Sequence, residues 1–242
     1  DGTAVSVSVT PSDKFGTDEI VYAYAYTWSG GTFKGTTANC ATNAGEWRVT
    51  VTLGTGAQTG NYVLTADGTA QFTIGKAALT IAFKEDAYTT VYGEQVPDYA
   101  LTYSGWVNRE DFSGQLKPVF ATKQGDRDYE PGAENGSVGK YNVTVTELDG
   151  SELLANYAYT DIATLSATLT VEAREVSLTL GGLDGNTKVY DAQAVTISVT
   201  PSAQSGTAGL LAGDSLVYAY AYTWSGGAFA ETTANCATNA GE

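Results

Sequence analysis

The side chains available for acid, base or metal chemistry are mainly carboxylates: 27 Asp and Glu against 12 Lys and Arg, with no histidine. Without His there is no Ser-His-Asp or Cys-His nucleophile and no His-ligated zinc site. Paired carboxylates at a suitable separation cleave glycosides. Glu110-Asp111 and Glu94 with Asp98 are close in sequence, but both sit in loop patterns where solvated acids are ordinary. No catalytic residue is assigned, and the chain is read as a non-enzyme. Asp126, Asp128 and Glu130 alternate in the loop GDRDYEPG, and Asp184, Asn186 and Asp191 form a second set of hard oxygen donors. Such sets can hold calcium, yet neither has the Gly and distal Glu of an EF-hand loop. A solvated acidic loop is the preferred reading of each, so no cofactor is expected, with calcium left open.

The elements that must position these groups are announced by a repeat. Val21–Gly31 (VYAYAYTWSGG) returns unchanged as Val217–Gly227, and Thr36–Glu46 (TTANCATNAGE) as Thr232–Glu242. Identity of this length marks a tandem array. Cys40 and Cys236, the two cysteines, occupy one position in the two copies. A bridge would need equivalent sites in separate domains to lie within about 7 Å, so each is read as a small buried hydrophobe.

Period-two alternation predicts strands over Ala4–Thr10, Ile20–Trp28, Trp47–Leu53, Gly60–Thr65 and Thr69–Ile74. A second series follows at Ala78–Phe83, Tyr99–Tyr103, Tyr141–Thr146 and Ser166–Val171, and a third opens at Glu175–Leu180. No helical periodicity is evident. Short strands separated by Gly- and Asn-rich turns predict an all-β fold of immunoglobulin-like sandwiches in a linear array. Three domains are expected: 1–75 without its first strand, 76–172 whole, and 173–242 without its last strands. From Asp191 the third series follows the start of the chain, with extra residues in the loop Ala203–Leu216. The joints are short. Gly75, Lys76 and Ala77 fill the first, Ala173 and Arg174 the second, and neither is a Gly/Ser-rich flexible linker, which predicts a stiff rod.

Tyr22, Tyr24, Tyr26 and Trp28 fall on one strand face. Aromatic rows bind flat apolar ligands, but aligning Thr27-Trp28-Ser29-Gly30 with Thr102-Tyr103-Ser104-Gly105 sets Leu101 at the place of Tyr26, which favours an inward, core face. A net charge of −15 disfavours nucleic acid and anionic membrane as partners. No apolar run is long enough to span a bilayer, and the lack of Met reads as an excerpt of a longer polypeptide.

Residues 76–172 resemble the MBG domain, an immunoglobulin-like repeat of bacterial surface proteins. The carriers are Tyr92-Gly93-Glu94 with Pro97, Tyr103-Ser104-Gly105-Trp106-Val107-Asn108 with Asp111, Val138-Gly139-Lys140-Tyr141, Asn156-Tyr157 and Leu169-Thr170-Val171. The flanks resemble the YDG-type repeat through Lys188-Val189-Tyr190-Asp191, Asn43-Ala44-Gly45, Gly60-Asn61-Tyr62 and Phe72-Thr73-Ile74, with Ala192 where that family has Gly. The resemblance implies an extracellular, surface-displayed adhesin or fibre whose partners are neighbouring repeats. Two alternatives stay open. One is a glycan- or protein-binding module using the loop that carries Trp106, Phe112 and Phe120. The other is a filament subunit completed head-to-tail by strand complementation. Repeats of this kind also suggest an internal Lys–Asn cross-link, for which Lys84 and Asn156 are the candidates.

Overall fold

The computed structural model describes residues 4–28, 41–66, 68–182, 189, 191, 193, 195–221, 223–224 and 227–228. Along the chain the strands are β1 Tyr22–Trp28, β2 Gly45–Leu53, β3 Gly68–Ile74, β4 Ala77–Ala78, β5 Thr80–Phe83, β6 Ala87–Val91 and β7 Leu101–Ser104. There follow β8 Lys117–Gln124, β9 Arg127–Asp128, β10 Gly139–Asp149, β11 Tyr157–Ala158, β12 Ser166–Glu172, β13 Leu178–Gly181 and β14 Ser198–Pro201. Among the described residues the only helical turns are short 3-10 segments, so the fold is all-β, of the expected immunoglobulin-like sandwich class. No helix is long and apolar enough to cross a membrane among these residues.

The chain forms two compact units. One gathers Asp1–Asp86, Tyr99–Ala121 and Thr144–Ser166, the other Ala87–Asp98, Thr122–Val143 and Ala167–Glu242. In the first unit β1, β2 and β3 make an antiparallel sheet in that order. Its register sets Tyr26 opposite Val49, and Trp28 opposite Trp47, which in turn faces Phe72. Residues two apart share a face, so the alternation in both strands converges on one apolar surface. Tyr26, Trp47 and Val49 are buried there, with Val7, Val9 and Ala41 packed against them. Tyr26 meets Trp47 and Phe72 edge-on at 6.2 and 6.3 Å, and Trp47 and Phe72 stack. The aromatic stripe is core, as the alignment with Leu101 implied.

A second core in the same unit joins Leu79, Ile81, Leu116, Leu148, Leu154 and Tyr157. β5 pairs antiparallel with β7, while β4 pairs in parallel with β11. The larger sheet has the order β6-β12-β10-β8-β9. There β6 and β12 run parallel, from Ala87 opposite Thr168 to Val91 opposite Glu172. In the second unit β13 and β14 form an antiparallel ribbon.

Several expected strands differ. Ala4–Thr10 joins no ladder and makes a single bridge, Val5 to Ala41. Gly60–Thr65 is not a strand but the end of a 3-10 turn, Thr59–Asn61, and an irregular stretch. Side chains satisfy the nearby backbone instead of a ladder. Thr59 Oγ1 accepts from the Val21 N–H, Gln58 Oε1 from the Glu19 N–H, and the Tyr62 hydroxyl from the Phe15 N–H while donating to Asp18. The expected strand Ala78–Phe83 is broken at Leu79, whose N–H turns to the Ala158 carbonyl. Strands β6 and β8 were not anticipated.

Candidate functional site

With no catalytic constellation in the chain, the residues that decide what it does mechanically are those at the joints. At the first, β3 ends at Ile74 and β4 begins at Ala77, with Gly75 and Lys76 exposed between them. The Ala77 N–H donates to the Asn156 carbonyl at 2.9 Å. The Asn156 side chain then reaches the opposite flank: its Oδ1 accepts the Ala44 N–H at 2.9 Å and its Nδ2 donates to Asn43 Oδ1 at 3.1 Å. Asn43 is held in turn by Trp47, whose Nε1 donates to the Asn43 carbonyl. Next to Asn156, the Tyr157 ring is buried and its hydroxyl donates to Glu110 Oε2 at 2.5 Å and accepts the Val107 N–H at 3.2 Å.

A cleft of about 310 Å³ lies here, lined by Asn43, Ile74, Gly75, Asn108, Glu110 and Asn156 among others. Its rim turns sharply, because Asn108 and Arg109 both have positive φ, 55° and 61°. Left-handed backbone is uncommon for a residue such as Arg. The Glu110 N–H closes this turn onto the Val107 carbonyl, and the Tyr157 hydroxyl anchors both ends of it.

At the second joint Ala173 is exposed, whereas the Arg174 side chain is only 3% exposed. Its guanidinium is fully engaged. Nη1 pairs with Glu94 Oε1 at 2.9 Å and donates to the Tyr92 carbonyl, Nε donates to the Gly209 carbonyl at 2.9 Å, and Nη2 reaches the carbonyls of Ala208 and Gly206. A planar fork with five N–H donors suits this cage of acceptors as a lysine ammonium would not. The backbone reinforces it, since the Gly209 N–H donates to the Glu175 carbonyl and the Tyr92 N–H to the Glu172 carbonyl. Leu211 lies against Gly93, where a Cβ would come within 2.4 Å of a Leu211 methyl. With φ of +87° as well, Gly93 is held to glycine twice over.

The remaining predicted residues are placed as follows. Trp106 and Phe112 pack against the second core, meeting edge-on at 5.6 Å, and Trp106 meets Tyr157 at 5.2 Å. Phe120 packs on Phe83 and Tyr99. These rings are half-buried against each other, because the fold closes the loop onto the core, and they form no exposed aromatic platform. Asp126, Asp128 and Glu130 are exposed around the β8–β9 hairpin, and Asp128 pairs with Lys123 at 3.2 Å. Asp191 Oδ1 accepts the Gln193 N–H, whereas Asp184, Asn186, Cys40 and Cys236 lie outside the described residues. Among the described residues no three Asp, Glu, His or Cys are grouped to hold a metal. Lys84 is exposed and the Asn156 amide is committed to Asn43 and Ala44, so the expected cross-link is not the arrangement found. Glu94, Glu110 and Asp111 are each taken up structurally, the last by the Ser113 N–H and hydroxyl.

Ionisation of the buried phenols sets a pH limit. Burial pushes Tyr103, Tyr141 and Tyr157 above the usual tyrosine range, and for Tyr157 the Glu110 carboxylate adds to it. Their neutral forms are favoured in the folded protein, while the unfolded chain releases these protons near pH 10. The stabilisation is therefore complete below about pH 10 and is lost as pH rises through the folded values. Thermal melts between neutral and strongly alkaline pH should show a flat Tm that falls above about pH 10, with Tyr157→Phe shifting the fall to higher pH. A Tm unchanged across that range would contradict the assignment.

No family model matches the chain, and no curated protein matches it. Among solved structures it is similar to the crystal structure of Down Syndrome Cell Adhesion Molecule (DSCAM) isoform 1.30.30, N-terminal eight Ig domains. That match has 11% identity and a TM-score of 0.29, over 86% of this chain and 31% of that one.

Proposed function

We propose that this segment is a structural, adhesion-type repeat of a bacterial surface protein or fibre, displayed outside the cell, with sandwich domains over 1–75, 76–172 and 173–242. It acts as a load-bearing spacer, catalyses nothing and needs no cofactor. The observation that carries this is the parallel pairing of β6 with β12, the strands near the two ends of the 76–172 stretch. Stretching a chain whose entering and leaving strands run parallel slides one along the other, so the evenly spaced rungs are loaded together. The two joints fit the same role. Each is closed by side chains that bond backbone across it, Asn156 at one and Arg174 at the other, where a flexible linker would leave the backbone to water.

Pulling the chain from its ends in a force spectrometer tests this. The Tyr92 N–H bonds the Glu172 carbonyl, and alternation along a parallel ladder makes the Thr90 N–H the next donor towards β12. Thr90→Pro removes that donor and should lower the unfolding force, whereas proline in an exposed loop should not. Equal forces for both variants, or specific capture of a glycan or host protein by this segment, would overturn the spacer reading.

A further inference from the structure

The internal repeat reveals an unfilled strand position in the first unit. Ser8-Val9-Thr10-Pro11 recurs as Ser198-Val199-Thr200-Pro201, with the same alternation of exposed and half-buried residues. In the later copy this segment is β14 and pairs with β13: Leu178 opposite Pro201, Thr179 opposite Thr200, Leu180 opposite Val199, Gly181 opposite Ser198. In the first copy, among the described residues, Ser8–Pro11 belongs to no ladder. Beside it lies a groove of about 330 Å³ on the inner face of the β1–β3 sheet, lined by Val7, Val9, Tyr22, Val49, Val51 and Leu64 among others. The donor side shows the converse. Leu178 and Leu180, two apart and so on one face of β13, are 51% and 62% exposed. Residues 217–221, which repeat the start of β1, form no strand that could cover them.

We propose that this groove is a docking site for β13 of a second copy of the chain, which takes along Ser8–Pro11 the place it holds along Ser198–Pro201. The exchange is nearly neutral in the ladder, because the four acceptor residues are identical and the register carries over. Transferring the register sets Leu180 opposite Val9 and Leu178 opposite Pro11. Directly opposed side chains lie on the same side of a pair, so both leucines turn towards the groove. Burial of these two side chains is what the second copy gains over its own ribbon, and it drives the exchange. Repeated copy upon copy, the contact is heterologous and builds an open head-to-tail filament. This goes beyond the spacer reading and does not depend on it, since a mechanical spacer can be monomeric.

Sedimentation of the whole 242-residue chain over a wide concentration range tests the proposal. The expected result is a concentration-dependent series of oligomers that a peptide of residues 174–182 dissolves to monomers by capping the groove. The double variant Leu178→Asp/Leu180→Asp should weaken association by roughly 100-fold or more while keeping the circular dichroism of the parent, because both sites are exposed. A chain that stays monomeric throughout overturns the proposal even if the peptide binds, for the groove then takes its strand from another source. Oligomers indifferent to both peptide and variant overturn it too, by placing the interface elsewhere.

Discussion

Arg174→Ala should cost about 3 kcal/mol of stability, among the largest losses from any single side chain in the second unit. Removing one partner of a buried pair ordinarily costs about 3–5 kcal/mol, because the other charge is left without compensation. Here Glu94 is 38% exposed and regains water, which places the loss at the lower end. The guanidinium, however, also serves the carbonyls of Tyr92, Gly206, Ala208 and Gly209, and Gly209 is buried. Buried acceptors stripped of a donor cost on the order of 1 kcal/mol or more each, which offsets that relief. For a structure of this size the melting temperature should drop by about 6–12 °C.

Arg174→Lys should recover less than half of the loss, because one ammonium cannot span acceptors arranged around a planar fork. Hydrogen exchange gives the local readout. The Gly209 and Leu210 amides, which donate to the Glu175 and Ser202 carbonyls, should lose protection first, since the 203–214 loop is what Arg174 pins down. A lysine variant as stable as the parent would falsify the fork argument and reduce Arg174 to a simple counter-ion for Glu94.

How far the molecule was legible in its sequence follows from where each feature gets its partners. The Tyr22–Trp28 alternation could be read because a strand with one buried face encodes that face every second residue, and Tyr26 is 3% exposed as that pattern requires. β6 could not. Its ladder partner is β12, some eighty residues later, and a parallel pairing leaves no turn signature between the strands. β8 begins with Lys117-Pro118, and a proline argues against a strand unless its position needs no N–H. Arg174 was identified as a joint residue from position alone. Its cage is built from carbonyl oxygens, which every residue carries, so no side-chain pattern announces it. The one available hint was the lengthening of the loop Ala203–Leu216 relative to the first copy, and that loop is where three of the acceptors lie. The Trp106–Phe120 stretch carries the opposite lesson. Aromatic residues in a loop serve a surface or a core equally well, and only the packing of Trp106 on Phe112 and Tyr157 decides between them.

Asn156→Ala should cost about 2 kcal/mol, through two groups that its amide satisfies and that nothing nearby replaces. The Ala44 N–H loses its acceptor in a residue only 7% exposed, and Asn43 Oδ1 loses its donor. Asn156→Asp separates these contributions. It keeps an oxygen for the Ala44 N–H, and the Asn43 amide can rotate to offer its NH₂ to the new carboxylate. Most of the stability should therefore survive in Asp, while Ala loses it. The Asn43→Ala/Asn156→Ala cycle in chemical denaturation should show a coupling of about 1 kcal/mol, as expected for side chains in direct contact. The Ala44 amide gives the local signal by exchanging faster in the Ala variant and not in Asp. Equal losses for Ala and Asp would mean that the site demands the neutral amide itself. A coupling near zero would mean that the first joint is held by the Ala77 and Leu79 backbone bonds alone, with Asn156 a bystander to it.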